Sequence, residues 1–215
     1  MKILITGTSK GIGKAIAEKF LSCGHEVTGL DILPPSVDHA RYTHIGTDIC
    51  SGELPALEGV EILINNAGVQ DSGRDIEVNL KGTVRVTERY AFQKNIKSVL
   101  FIASASARTG AEFPEYCASK GGVVAYMKNV ALRVAKYGAT ANSLSPGGVK
   151  TALNDHVMND PTLWKQIMDE TPLLKWAEAD EIAEWAYFVT AVNRSMTAQD
   201  LLIDNGEAAQ ANFIW

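Results

Sequence analysis

Short apolar runs alternate with segments of helical periodicity along all 215 residues of the chain. The runs have the length of buried strands, and seven strands are predicted, at Lys2–Thr6, His25–Leu30, Tyr42–Thr47, Glu61–Asn65, Lys97–Ala103, Ala139–Ser145 and Asp200–Asp204. Helices are predicted at Ile12–Leu21, Arg74–Gln93, Pro114–Tyr137, Asp155–Glu170 and Asp180–Val192. Strands that alternate with helices form βαβ units, whose right-handed crossovers place helices on both faces of a parallel sheet. The sequence therefore predicts an α/β fold, a doubly wound parallel sheet of about seven strands in a single domain over residues 1–215.

The composition argues against several classes of protein. A hydrophobic fraction of 46% and a charged fraction of 21% are ordinary for a folded domain. The longest apolar runs, such as Val99–Ala103, are too short to span a bilayer, and the N-terminus lacks the apolar region of a signal peptide. A net charge of −5 without a basic block argues against nucleic acid as a partner. Three cysteines with no metal-ligand spacing predict a reduced, cytoplasmic location and no metal site.

A glycine-rich turn, TGTSKGIG, lies between the first predicted strand and the first predicted helix. The N-terminus of a helix offers unpaired N–H groups and a partial positive charge, and glycines let the backbone approach a pyrophosphate closely. We therefore predict a dinucleotide phosphate site here, the alternative being a turn that merely connects two elements. The predicted contacts are Gly7, Ser9, Lys10, Gly11, Ile12 and Gly13.

Two carboxylates follow later strands of the predicted sheet. Asp31 ends the second strand, where a carboxylate accepts hydrogen bonds from both ribose hydroxyls of an adenosine and repels a 2′-phosphate. This residue favours NAD, whereas Lys10 in the glycine turn favours NADP, and we weight Asp31 more heavily. Asp48 follows the third strand and is predicted to meet the adenine amino group, with Ile49 against the ring. Ordinary turn or cap roles are the alternatives for both carboxylates.

A serine, a tyrosine and a lysine converge at the carboxyl ends of the strands, where ligands bind in such sheets. Ser104 ends the fifth strand, and Tyr116 and Lys120 have the i, i+4 spacing that places both on one helical face. A nearby ammonium lowers the pKa of a phenol, so Lys120 is expected to make Tyr116 a usable proton donor and acceptor. A Tyr/Lys pair on a helix is, by itself, more often a pair of exposed surface residues than a catalytic pair.

Together these motifs resemble the short-chain dehydrogenase/reductase superfamily over nearly the whole chain. The resemblance rests on TGTSKGIG, Asn65-Asn66-Ala67-Gly68, Asn79, Ser104, Tyr116-Cys-Ala-Ser-Lys120 and Pro146-Gly147 in this order. It implies a single Rossmann domain with strand order 3-2-1-4-5-6-7. It also implies that Tyr116 is the acid/base and that Ser104 stabilises the substrate oxygen. Lys120 would lower the tyrosine pKa and hold the nicotinamide ribose, and Asn79 would fix a water in a proton relay.

The resemblance also implies further cofactor contacts. Asn66, Ala67 and Gly68 would shape the adenosine ribose pocket and brace the sheet. The Pro146-Gly147 turn would lead to Val149 and Thr151, which would meet the nicotinamide carboxamide.

The chain departs from the family pattern in its spacing. Ser104 precedes Tyr116 by twelve residues, one fewer than usual, which we interpret as a one-residue deletion within residues 105–115. Ser106 is therefore an alternative candidate for the serine that stabilises the substrate oxygen. The connections from Asp31 to Asp48, from Asp48 to Asn65 and from Asn66 to Asn79 are short, so loops are expected where the family usually has helices.

The leading functional hypothesis is an NAD(H)-dependent oxidoreductase that interconverts a secondary alcohol and a ketone. The alternatives are an NADPH-dependent 3-oxoacyl reductase and a catalytically silent dinucleotide-binding sensor or scaffold. A substrate lid is expected near residues 152–176, lined by Trp164 or Met158 or else packed as an ordinary amphipathic helix.

A homodimer or homotetramer is expected, paired through Arg74–Gln93 and Pro114–Tyr137. These segments carry more apolar surface than one sheet face needs, at Val78, Val84, Val86, Val123, Val124 and Val130. The apolar tip Phe213–Trp215 is expected to dock on a partner subunit.

Overall fold

A computed structural model describes residues 1–111 and 113–209, and parallel strands form its central sheet. The strands are β1 (Lys2–Thr6), β2 (Glu26–Asp31), β3 (Tyr42–Gly46), β4 (Ile62–Asn65), β5 (Ser98–Ile102), β6 (Thr140–Pro146), β7 (Val149–Lys150), β8 (Ala177–Glu178) and β9 (Asp200–Ile203). Seven of them pair in the order β3-β2-β1-β4-β5-β6-β9, and β7 pairs with β8 in a separate ribbon. Every pair is parallel. The predicted doubly wound sheet and its strand order are confirmed, with β9 as the seventh strand.

Helices cover both faces of this sheet. They are α1 (Gly11–Ser22), α2 (Thr83–Tyr90), α3 (Ser106–Thr109), α4 (Pro114–Val134), α5 (Asp155–Met158), α6 (Pro161–Glu170) and α7 (Ala179–Tyr187). Side chains alternate across a strand, so Ile3 and Ile5 of β1 belong to the core with α1 and α7, whereas Leu4 belongs to the core with α2 and α4. Two apolar layers therefore enclose the sheet. Phe20 of α1 is fully buried and its ring lies 5.3 Å from that of Tyr187 at the end of α7.

Several predicted helices are not α-helical throughout. The one predicted at Asp180–Val192, for example, ends in a π-helix, Phe188–Val192. The segment predicted at Arg74–Gln93 begins as a π-helix, Ile76–Gly82, before α2. Helical turns of this kind are rare and occur frequently at functional sites. The helix predicted at Asp155–Glu170 is broken into α5 and α6. Asp160 accepts hydrogen bonds from the backbone N–H groups of Thr162 (2.9 Å) and Leu163 (3.1 Å), and Pro161 follows it at the first helical position. A capping Asp followed by Pro starts a new helix, which explains the break.

Two of the three short connections form loops, as expected, whereas the one from Asn66 to Asn79 ends in the π-helix. Residues 32–41 and 47–61 contain neither a helix nor a strand. Arg85 of α2 secures the second loop by donating hydrogen bonds to the carbonyl groups of Ile49 (2.8 Å) and Gly52 (2.7 Å). The Tyr90 hydroxyl donates another to the Pro55 carbonyl (2.8 Å). Side chains from α2 thus hold the loop against the sheet where a helix is absent.

Within residues 1–111 and 113–209, no helix has the length and hydropathy needed to cross a membrane. The predicted docking tip Phe213–Trp215 lies outside the described residues.

Candidate active site

The glycine turn has the backbone shape expected of a phosphate cradle. Gly7 and Gly11 adopt positive φ angles of 75° and 56°, which residues other than glycine rarely adopt. A Cβ on Gly13 would collide with the Gly7 carbonyl oxygen, so only glycine lets α1 lie this close to the end of β1. Among the described residues, no side chain caps the N-terminus of α1, and its first turn carries no acidic residue. The N–H groups at this helix end therefore suit an anion, and the turn fits the pyrophosphate of a dinucleotide.

The segment after β4 braces this turn. The Asn66 side-chain nitrogen donates hydrogen bonds to the carbonyl groups of Thr6 and Gly7, both at 3.0 Å. The Thr6 hydroxyl in turn accepts hydrogen bonds from the backbone N–H groups of Asn66 and Ala67, both at 3.0 Å. These four bonds fix the separation of β1 and β4 at their carboxyl ends. Asn66 therefore braces the sheet, as the family resemblance implies.

Asp31 lies at the predicted position, beside the glycine turn. It is 8% exposed, and its two carboxylate oxygens accept hydrogen bonds from the backbone N–H groups of Ser9 (2.8 Å) and Leu33 (2.9 Å). A carboxylate oxygen has two lone pairs, so each oxygen retains capacity for a ribose hydroxyl. Lys10 is exposed on the same turn.

The structure separates the two residues expected at the adenine. The carboxylate of Asp48 accepts hydrogen bonds from the Cys50 N–H (2.8 Å) and the Ser51 hydroxyl (2.9 Å), and these bonds lower the pKa of Asp48. Ile49 is 5% exposed, and its Cδ1 lies 2.9 Å from the position that a Cβ on Gly82 would occupy. The Ile49 side chain therefore packs into the core against the π-helix and presents little surface on which an adenine ring could stack.

Ser104, Tyr116 and Lys120 converge beyond the end of β5. Ser104 is 8% exposed, and its hydroxyl accepts a hydrogen bond from the Ser106 N–H (3.2 Å). Burial raises the pKa of Tyr116, and a hydrogen-bonding contact with the Ser104 hydroxyl opposes that rise, so Ser104 faces the phenol. Lys120 lies one helical turn further along α4, and its ammonium is 5.6 Å from the centroid of the Tyr116 ring.

The predicted direction of the Tyr116 pKa is wrong for this structure. Burial raises the pKa of Tyr116, the Ser104 contact opposes that shift, and the Asp75 carboxylate adds to it. Lys120 is itself 5% exposed and donates a hydrogen bond to the Ile102 carbonyl (2.9 Å). Burial lowers the pKa of Lys120 to about 8, with Asp75 acting in the opposite direction. Desolvation therefore decides both pKa shifts, because it disfavours the charged form of each group.

Asn79 lies in the π-helix that precedes α2, next to Lys120. Its side-chain oxygen accepts from the Val69 N–H (2.8 Å), and its nitrogen donates to the Val69 carbonyl (2.9 Å) and to the Ser119 hydroxyl (3.0 Å). A Cβ on Gly68 would lie 3.1 Å from the Asn79 oxygen and 3.4 Å from the Lys120 nitrogen. Because Gly68 has no side chain, Asn79 and Lys120 can both lie close to its backbone.

The segment after β6 reaches back to the glycine turn. Pro146 ends β6, and its carbonyl accepts a hydrogen bond from the Ala105 N–H (2.8 Å). Val149 of β7 is buried, and Cγ2 of Thr151 lies 3.5 Å from the position that a Cβ on Gly11 would occupy. Thr151, which is expected at the nicotinamide, therefore lies beside Gly11 of the glycine turn.

The sequence reasoning missed two acidic residues near this site. Asp75 is 1% exposed, and its oxygens accept hydrogen bonds from the N–H groups of Asp71 (3.0 Å) and Ser72 (2.9 Å). Its charge acts on both Tyr116 and Lys120. Glu207 follows β9 and approaches the turn at Gly147. No motif marks either residue, because their importance arises from burial and from contacts between distant segments.

A glycine turn, an acidic residue at the end of β2 and a Tyr/Lys pair, all at the carboxyl edge of a doubly wound sheet, define a nicotinamide dinucleotide-dependent class of oxidoreductase. The family model described as "Enoyl-(Acyl carrier protein) reductase" matches residues 54–207, more than half of the chain. The chain belongs to the short-chain dehydrogenase/reductase superfamily.

Relatives resemble the chain over almost its full length. Glucose 1-dehydrogenase of Gluconobacter oxydans (strain 621H) is 27% identical over 248 aligned positions, covering 99% of this chain and 93% of that protein. The alignment is longer than this 215-residue chain, so the relative has segments that the chain lacks. This difference agrees with the loops at residues 32–41 and 47–61.

Two solved structures are similar in fold and differ in their cofactor. A candidate 2-deoxy-d-gluconate 3-dehydrogenase from Agrobacterium tumefaciens contains bound NADP; it has a TM-score of 0.86 and 26% identity, and the match covers 97% of this chain and 96% of that chain. A 4-hydroxyisoleucine dehydrogenase mutant is complexed with NADH and succinate; it has a TM-score of 0.86 and 26% identity, with coverage of 99% and 100%. The shared cofactor class is a nicotinamide dinucleotide.

Proposed function

We propose that this protein is an NAD(H)-dependent oxidoreductase that interconverts a secondary alcohol and a ketone, with Tyr116 as the general acid/base. The observation that carries the proposal is the meeting of Ser104, Tyr116 and Lys120 at one edge of the sheet, where ligands bind in such folds. When bound, the nicotinamide supplies the hydride acceptor or donor. The protein's own residues handle the proton and the substrate oxygen.

The protonation state of the site suits ketone reduction at neutral pH. Because burial raises the pKa of Tyr116, its phenol keeps its proton and can donate it to a carbonyl oxygen. The Ser104 hydroxyl lies beside the phenol and would hydrogen-bond the same oxygen. Lys120 has a pKa of about 8 and would return a proton to Tyr116 through a water held by Asn79.

Asp31 supports a preference for NAD(H) over NADP(H). Its carboxylate is held beside the glycine turn by two backbone N–H groups and cannot turn away from a 2′-phosphate without losing them. The Asp31 carboxylate and a 2′-phosphate are both negative, and like charges that are close together and partly desolvated repel strongly.

A titration of the unmodified protein and of Asp31→Ser with NADH and NADPH tests this preference. We expect NADH to bind at least about tenfold more tightly than NADPH, the effect of one unfavourable charge contact, and the substitution to narrow or reverse that ratio. Glu18→Ser, which removes a carboxylate at an exposed position of α1, is the control. Equal affinity of the unmodified protein for both cofactors would defeat the argument.

A second candidate, an NADPH-dependent 3-oxoacyl reductase, is favoured by Lys10 and by the acyl-carrier-protein wording of the matching family description. A catalytically silent sensor is a third. A panel of alcohols, ketones and 3-oxoacyl thioesters, assayed with both cofactors by nicotinamide absorbance, separates them. Turnover of thioesters with NADPH alone would select the second candidate, and cofactor binding without any turnover would select the third.

We also propose a homo-oligomer that pairs through the outer faces of α2 and α4. Val86, Val123 and Val130 are buried in the chain's own core, which corrects the expectation that they form surplus apolar surface. Leu132 of α4 is 78% exposed and supports an interface there. Light scattering at micromolar concentration should show a dimer or tetramer, and Leu132→Glu should weaken it.

The segment at residues 152–176 is proposed as the substrate lid. The rings of Trp164 and Trp176 meet edge to face with their centroids 5.1 Å apart, so Trp164 both packs within this segment and remains half-buried. Met158 is also half-buried, which leaves both side chains available to line a pocket. A cytoplasmic location remains the expectation from the cysteine content.

A further inference from the structure

Glu207 is a half-buried carboxylate that none of the proposed catalytic steps uses. It lies in the short helix after β9, Glu207–Ala209. One of its oxygens accepts hydrogen bonds from the Trp176 indole N–H (3.1 Å) and the Thr171 hydroxyl (3.2 Å). Thr171 and Trp176 lie at the far end of the proposed lid, so this oxygen joins the lid to the end of the sheet.

The other oxygen of Glu207 meets the turn that leads into β7. It lies 2.8 Å from the position that a Cβ on Gly147 would occupy, and the Gly148 N–H is directed at the same carboxylate. A Cβ on Gly148 would overlap the indole ring of Trp176. The two glycines therefore allow the turn to pack its backbone directly against Glu207 and Trp176, with no intervening side chain.

Further contacts connect the same segments. The Ala177 N–H donates a hydrogen bond to the Gly148 carbonyl (3.1 Å), and β7 pairs with β8 through Val149 and Ala177. Next to Glu207, the Leu173 N–H donates to the Asn205 carbonyl (3.2 Å). The lid end, the turn and the residues after β9 thus form one contact region, and Glu207 is the charged group that touches all three parts.

Holding the Glu207 carboxylate in a half-buried position costs the folded state free energy, which indicates that the residue has a specific role. Burial raises the pKa of its carboxyl group, the hydrogen bonds from Thr171 and Trp176 oppose that shift, and the nearby Asp204 charge adds to it. An apolar side chain would fill the same space without this cost. Buried, multiply hydrogen-bonded carboxylates fix the geometry of the groups that donate to them.

We propose that Glu207 is a positioning residue that sets the affinity for the nicotinamide half of the cofactor by clamping the Gly147–Gly148 turn to the lid. The inference rests on the proposed function, because the turn leads directly to Val149 and Thr151, the residues proposed to meet the carboxamide. Glu207 itself does not touch the reacting atoms. Its effect passes through the backbone of the turn.

The test compares two ligands that differ in the nicotinamide. NADH and ADP-ribose share the adenosine and the pyrophosphate, but only NADH carries the nicotinamide. The dissociation constants of both are measured by isothermal titration for the unmodified protein and for Glu207→Gln, which keeps the side-chain shape but turns a donor toward the Gly148 N–H. Glu170→Gln, exposed at the end of α6, is the matched control.

We expect Glu207→Gln to weaken NADH binding about tenfold, the effect of losing one hydrogen bond to a charged group, and to leave ADP-ribose binding within about twofold of the unmodified protein. Trp176→Phe, which removes the indole donor, should weaken NADH binding in the same direction. The double variant should bind no more weakly than Glu207→Gln alone, because both changes break the same clamp.

Unchanged NADH affinity in Glu207→Gln would overturn the inference, and so would equal weakening of both ligands, which indicates general loss of structure. Failure of the unmodified protein to bind either ligand would instead defeat the proposed function, and this inference with it.

Discussion

Replacing Lys120 by methionine should make the protein more stable while it abolishes the proposed chemistry. Lys120 is 5% exposed, and burial lowers the pKa of its ammonium from 10.5 to about 8. Each pKa unit corresponds to about 1.4 kcal/mol, so keeping this group charged costs the folded state about 3 kcal/mol at pH 7. Methionine removes this cost but deprives the Ile102 carbonyl of its donor, which costs about 1–3 kcal/mol at every pH.

The pH dependence separates these two effects. Between about pH 8 and pH 10.5 the folded chain binds fewer protons at Lys120 than the unfolded chain does, so the free energy of unfolding rises with pH in this window. The Ile102 carbonyl does not titrate, so the cost of leaving it without a hydrogen-bond donor is the same at every pH. The stability advantage of Lys120→Met should therefore shrink by about 2 kcal/mol between pH 7 and pH 9.5.

Urea denaturation of both proteins at a series of pH values from 7 to 9.5 measures this change. Lys128→Met, at an exposed position on the same helix, is the control and should show no comparable trend. A stability difference between Lys120→Met and the unmodified protein that does not change with pH would refute the reasoning. The Lys120 ammonium would then not be desolvated as the structure indicates.

Three further substitutions follow from the geometry. Ser104→Ala should lower turnover by at least about tenfold, because it removes a hydrogen bond to the substrate oxygen. Ser106→Ala should leave turnover within about twofold. The opposite order in steady-state assays would show that Ser106 is the serine that contacts the substrate. Gly13→Ala should prevent NADH binding or destabilise the fold by at least about 2 kcal/mol, because its Cβ would collide with the Gly7 carbonyl; titration and denaturation together measure this. Arg85→Ala should lower stability by about 1–3 kcal/mol because it frees the loop at residues 47–61, and unchanged stability would contradict the role assigned to α2.

The common location of the candidate site residues at one edge of the sheet follows from chain topology. Strand ends in a parallel sheet meet at one edge, so Gly7, Asp31, Ser104 and Pro146 were predictable as neighbours from the order of strands and helices along the chain. The break at Pro161 also has a signal in the sequence, because an Asp directly before a proline is typical of the start of a helix.

Other features were not predictable, since they depend on how much solvent each side chain loses. The spacing of Tyr116 and Lys120 predicts that they share a helical face, but burial decides their pKa shifts, and it raises the pKa of Tyr116 instead of lowering it. Ile49 follows Asp48 in the chain, yet the loop directs it into the core. Glu207 has no motif, because its partners come from segments more than thirty residues away.

The most direct measurement compares Tyr116→Phe with the unmodified protein, in NADH affinity and in turnover of whichever carbonyl compound the panel identifies. Phenylalanine keeps the ring and removes the hydroxyl that transfers the proton. NADH affinity should stay within about twofold, while turnover falls at least about a hundredfold, the usual contribution of a general acid. Near-normal turnover in Tyr116→Phe would contradict the assignment, because the proton would then come from another group.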